Sequence, residues 1–175
     1  MKSVKMLCSL ILVPLATTCY GQNCASLLPD KAREAISDLH EWKVVKLTDL
    51  PADDQKLWEN SHNGQCPGVA AGNFSEDKLS YAVALVRSQP SGALQEQLIV
   101  LLPEANSFRR TVVVKPTTVV GPFVIWRVPP GKYQGVDNAG TVQIAHDSFI
   151  YEKMEAYARQ YYYDAGHLRS IVTAN

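Results

Sequence analysis

The stretch that most constrains this chain is residues 66–86, CPGVAAGNFSEDKLSYAVALV. It joins Cys66, the glycines Gly68 and Gly72, a polar turn and the continuous apolar run from Tyr81 to Val86. A short apolar run bounded by turn residues fits a buried strand. The chain is thereby committed to a sheet with a covered core, and nothing in the stretch is a catalytic signature.

The N-terminus supplies an expected address. Lys2 and Lys5 precede an apolar run over residues 6–15 that ends in small and polar residues, the pattern of a secretory signal peptide. The run is shorter than the about 20 apolar residues that a spanning helix needs, so no membrane span is expected. Cys19-Tyr20-Gly21 fits small-x-small cleavage after Gly21, giving a signal peptide at 1–21 and one globular domain at 22–175. Lipid anchoring at Cys19 is disfavoured, because Thr18 and Ala16 suit that processing poorly. Cys8 and Cys19 leave with the peptide. Cys24 and Cys66 remain, and two cysteines in an oxidising compartment predict one disulfide. A bridged Cys66 is no nucleophile.

The sequence is 46% hydrophobic and carries 17 basic and 17 acidic residues. The first figure supports a real core. The second removes the electrostatic footprint that nucleic acid or an anionic membrane would require. Only Arg109-Arg110 clusters positive charge, and it reads as a solvated face.

In chain order, residues 29–39 predict a helix with Ala32, Ala35, Ile36 and Leu39 on one stripe. Residues 42–47 predict a short strand, and 51–60 a second helix in which Asp53 and Asp54 complement the dipole. Strands at 81–86, 94–102 and 108–114 suggest an antiparallel meander. Pro116 is expected to break the pattern, which resumes at 123–128 and 141–145. Residues 152–161 are readable as helix or strand, and a closing hairpin over 157–172, turning at 164–166, is preferred. The expected fold is α+β, with N-terminal helices packed on a mainly antiparallel β-sheet. Trp42, Trp58 and Trp126 are expected in the core, although Glu41 and Lys43 flank Trp42 and an edge strand would leave it half exposed.

Residues 72–82, GNFSEDKLSYA, within a stretch of about residues 68–86, resemble a single degenerate FG-GAP or VCBS repeat. In that family a glycine, an acidic residue and a phenylalanine precede a calcium loop and then a strand. The resemblance implies Asn73, Ser75 and Asp77, followed by Ser80, as ligand positions. Asp77 is the one charge among them and Lys78 replaces the loop glycine, so no bound calcium is expected.

No zinc spacing, nucleophile elbow, phosphate loop or dinucleotide fingerprint is present, and no cofactor is expected. His146, Asp147 and His167 are the catalytic candidates, although His146 and Asp147 as strand neighbours point to opposite faces. Tyr157, Tyr161 and Tyr163 form a possible binding surface. The favoured function is an exported, non-catalytic binding domain, an inhibitor or accessory protein of the cell envelope with a protein or glycan partner. The alternative is an envelope hydrolase built on a histidine and a carboxylate from distant residues.

Overall fold

The computed structural model describes residues 23–62, 64–76, 78–136 and 140–174. The expected signal peptide, with Cys19, and the ligand position Asp77 lie outside these residues.

Strands make up 49% of the described residues and helices 15%, so the expected α+β architecture is corrected to a mostly β one. The helices are a 3-10 turn at Cys24–Leu27, α1 at Asp30–Glu34, a second 3-10 turn at Leu47–Asp49 and α2 at Ala52–Ser61. None is long enough to form a layer. The expected helix at 29–39 stops after Glu34 for a tertiary reason. Arg110, from a distant strand, donates to the Ala35 carbonyl at 3.2 Å and pairs with the Asp38 carboxylate at 2.5 and 2.9 Å. The amides of Ile36 and Ser37 turn instead to carbonyls three residues back, which tightens the chain out of the α-helix.

The eleven described strands are β1 (Lys43–Val44), β2 (Val69–Gly72), β3 (Ser80–Ser88), β4 (Leu94–Pro103), β5 (Phe108–Val119), β6 (Val124–Val128), β7 (Gly131–Gln134), β8 (Thr141–Ile144), β9 (Ser148–Lys153), β10 (Tyr157–Asp164) and β11 (His167–Ala174). The first sheet has the order β1-β3-β4-β5, with β2 also on β3. The second runs β11-β10-β9-β6, and β7 pairs with β8 alone. All pairings are antiparallel.

The run from Tyr81 to Val86 is covered on both faces. Ala82, Ala84 and Val86 face the core between the sheets, meeting Ile125, Phe149 and Tyr151 of the second sheet. Tyr81, Val83 and Leu85 face the other way, beneath Cys24, Leu28 and Ala32. Two-sided burial removes the polar alternation that a half-exposed strand would show.

On one edge of β3 the strands β1 and β2 lie end to end. Lys43 and Val44 pair with Val86 and Leu85, and Val69 to Gly72 pair with Val83 to Ser80. At their junction a Cβ on Gly68 would lie 2.2 Å from the Val45 carbonyl oxygen, so only glycine fits this approach. Next to it the Pro67 carbonyl accepts from the Ile125 amide at 2.8 Å, joining β6 to this segment. Cys66 is bridged to Cys24, with Cα atoms 5.6 Å apart. The disulfide thus holds the N-terminal cover at the place where the two sheets meet.

β5 does not break at Pro116, contrary to expectation. Its register against β4 slips twice, between Glu96 and Leu98 and between Leu98 and Ile99. Lys115 and Pro116 occupy the first irregularity and Val113 the second. A proline without an amide hydrogen is tolerated in a bulge on an outer strand. The ambiguous stretch 152–161 is extended: β9 ends at Lys153, a tight turn with Glu155 at φ 57° follows, and β10 begins at Tyr157. β10 and β11 close through Ala165 and Gly166, both with positive φ, as a two-residue hairpin turn requires.

Candidate functional site

An open groove of about 850 Å³ lies beside β1, between the N-terminal cover and the end of β3. The turns that replace the second half of the expected helix shape it. They leave Ile36, Leu39 and Trp42 half-buried and packed on the outer core of the first sheet. With Val44 these side chains form an apolar floor.

The rim is mainly basic, with Arg33, Lys43, Lys46 and Arg87 set against Glu41 and Asp49. Arg87 places its guanidinium carbon 4.7 Å over the Trp42 ring. It also donates to Gln95 at 2.9 Å and to Glu41 at 3.0 Å. Arg33 is occupied by Asp30 and the Leu28 carbonyl. The Asp49 carboxylate accepts the Lys46 backbone amide at 2.9 Å. Among the described residues the ammonium groups of Lys43 and Lys46 make no ion pair, so their charge is open to a ligand.

The sequence-predicted candidates lie elsewhere. Asp147 is buried, accepts the Asn73 amide at 2.9 Å and sits 3.6 Å from Arg127. Its hydrogen bonds do not involve His146 or His167. His146 is half-buried in the turn between β8 and β9, while His167 is exposed at the start of β11, opposite Asp164. Asn73 and Ser75 stand in the loop between β2 and β3, and Asn73 contributes its backbone amide to Asp147. Among the described residues no group of three or more histidine, cysteine, aspartate or glutamate side chains is placed to hold a metal.

The tyrosines of β10 point mostly inward. Tyr161 stacks on Phe149 with centroids 5.5 Å apart, and Tyr163 belongs to the inter-sheet core. Burial raises the pKa of both. Tyr157 is half-buried and accepts from Arg159 at 2.6 Å. Trp58 is 1% exposed and donates to the Gln65 carbonyl at 3.0 Å. His62 stacks on it at 4.2 Å and lies 4.8 Å from the half-buried Trp126. Burial lowers the His62 pKa.

A buried acid absent from the sequence reading is Glu96 of β4, which is fully buried. One carboxylate oxygen accepts the Phe123 amide at 2.8 Å. The Tyr151 hydroxyl stands close enough to interact with the carboxyl, and Lys153 lies nearby, yet Glu96 Oε1 and Tyr151 Oη complete no hydrogen bond. Burial pushes the Glu96 pKa up to about 7. Such a shift marks active sites as well as structural clusters. Glu96 is closed off from solvent, so it is placed to hold a proton but not to deliver one to a substrate.

Trp42, expected in the core, is half-buried on the floor of the groove, and the groove as a set is not legible in the sequence. The charges flanking Trp42 were the available signal. Arg33 and Arg87 come from either side of it only through the fold. Comparisons with protein-family models, with curated proteins and with solved structures find no match to this chain.

Proposed function

We propose that the chain is an exported, non-catalytic binding domain and that the groove beside β1 is its binding face. The observation that carries this reading is the combination of a half-buried apolar floor with open lysine charges in one concavity. Binding sites join buried apolar contact to a few polar groups that fix orientation. The buried titratable groups offer less to a substrate. Glu96 is enclosed between the sheets, and Asp147 is engaged by Asn73 and Arg127. Export is supported by the N-terminal pattern and by the Cys24–Cys66 bridge, since such bridges persist in oxidising compartments. No helix among the described residues is long and apolar enough to cross a membrane.

The test is capture of envelope or medium components by the immobilised exported protein. Capture should be lost in Trp42→Ala and in the double variant Lys43→Glu with Lys46→Glu. Capture unchanged in both variants would remove the groove from the function. Turnover of ester or glycoside substrates that disappears in Asp147→Asn would favour the hydrolase instead. N-terminal sequencing of protein recovered outside the cytoplasm should begin at residue 22, and recovery of the uncleaved chain only from the cytoplasm would overturn export.

A further inference from the structure

Resting on that reading, we propose that the groove takes an acidic, extended peptide segment, which adds as a strand to the outer edge of β1. The first support is main-chain geometry. The Val45 amide donates to the Ala84 carbonyl at 3.0 Å, and Lys43 and Val44 stand opposite Val86 and Leu85. Antiparallel pairs alternate between hydrogen-bonded and non-bonded partners. The amide and carbonyl of Val44 are therefore directed away from β3, on the side where Val44 lines the groove. Among the described residues no backbone bond occupies them. An unpaired edge of this kind is the template for strand addition.

The floor fits the same partner. A peptide strand presents side chains alternately to its two faces. Apolar residues at every second position would meet Ile36, Leu39 and Trp42, while the intervening acidic residues would meet Lys43 and Lys46. The whole chain has a formal net charge of zero, so four cations against two carboxylates around one groove is a local surplus. A glycan fits less well. Sugars stack on open aromatic faces, and the Arg87 guanidinium covers one face of Trp42.

β5 supplies the contrast within the same sheet. Its outer edge is longer, yet Lys115, Pro116 and two register slips interrupt it, devices that discourage pairing. Strand addition is therefore directed to β1.

The test titrates an acetylated peptide of alternating Glu and Leu into the purified protein by calorimetry, alongside a counterpart with Lys in place of Glu. The acidic peptide should bind, and the basic one should not. The double variant Lys43→Glu with Lys46→Glu, at exposed positions that leave the core intact, should weaken the acidic peptide by ~10-fold or more, and added salt should weaken it further in the wild type. Methylation of the central backbone nitrogens of the peptide should also abolish binding, because it removes the strand pairing. Equal affinity for both peptides, or no binding by the acidic one, overturns the proposal. Binding of polygalacturonate in place of the peptide overturns it in favour of a glycan. If the peptide fails while Trp42→Ala still loses its captured partner, only the peptide assignment falls. If capture also survives in Trp42→Ala, the groove reading falls with it.

Discussion

The seam between the two sheets holds a buried carboxylate at each end, and the two are held differently. Along β3, the Ser80 end faces Gly72 of β2 and the Val86 end faces Glu96 of β4. Asp147 closes the first end with a backbone amide and a guanidinium as partners. Glu96 occupies the second with one backbone amide and an oxygen left unsatisfied. Both carboxylates are shielded from water. The two ends therefore differ in the number and charge of the donors that hold the acid.

The largest expected effect follows from Glu96. Its folded pKa is about 7 against an ordinary value of 4.5. The folded state thus binds the proton more tightly than the unfolded chain. The stability associated with that proton is fully present below pH 4.5 and lost as pH rises through about 7. At about 1.4 kcal/mol per unit, the loss is about 3 kcal/mol. Urea unfolding at about pH 5 and pH 8 should show it, and Glu96→Gln should flatten the profile and be more stable than the wild type at the higher pH. A wild-type profile as flat as that of the variant would show that Glu96 binds its proton no more tightly in the folded state than in the unfolded chain.

The next effect belongs to the opposite end. Asp147→Ala leaves the Asn73 amide and Arg127 without their acceptor and should cost about 2 kcal/mol, read as a lower urea midpoint. Asp147→Asn keeps one acceptor oxygen and should cost less. Equal losses in both variants would show that charge, not hydrogen bonding, governs this end.

Two glycines sharpen the contrast. A Cβ at Gly72 would lie 2.8 Å from Phe74 Cε1, 3.0 Å from Asp147 Oδ2 and 3.1 Å from Arg127 Cδ. These neighbours are locked together, and Gly72→Ala should destabilise by about 1 kcal/mol or slightly more. At Gly121, beside the Glu96 end, the closest atom is Lys153 Nζ at 2.8 Å, the tip of a flexible side chain. Gly121→Ala should change stability by no more than about 0.5 kcal/mol. Thermal melts of the two variants compare the ends directly, and a reversal of their order would show the Glu96 end to be the stiffer.

The strands from Tyr81 to Val128 were legible because their apolar runs are long and their turns carry glycine, proline or asparagine. The disulfide was legible because only two cysteines follow residue 21. The helical layer was misread at Arg110, which lies 72 positions from Asp38 in sequence and interrupts a segment whose own propensity favours continuation. Pro116 was misread because a bulge is a property of two strands and not of one. Glu96 lies between Gln95 and Gln97 in a strand with polar residues at its start. Its burial depends on Phe123 and Tyr151 arriving from beyond β5, which no local pattern announces. The groove was missed for the same reason, since its cations come from three separate segments of the chain, at Arg33, at Lys43 with Lys46, and at Arg87.

The irregular β5 has a consequence for the protein in a crowd. A 12-residue strand with an even outer edge would let one molecule dock on the next and seed a growing fibre. Each register slip twists that edge, and Pro116 withholds a donor where a neighbour would seek one. Stacking of one molecule on the next through this edge therefore stays interrupted.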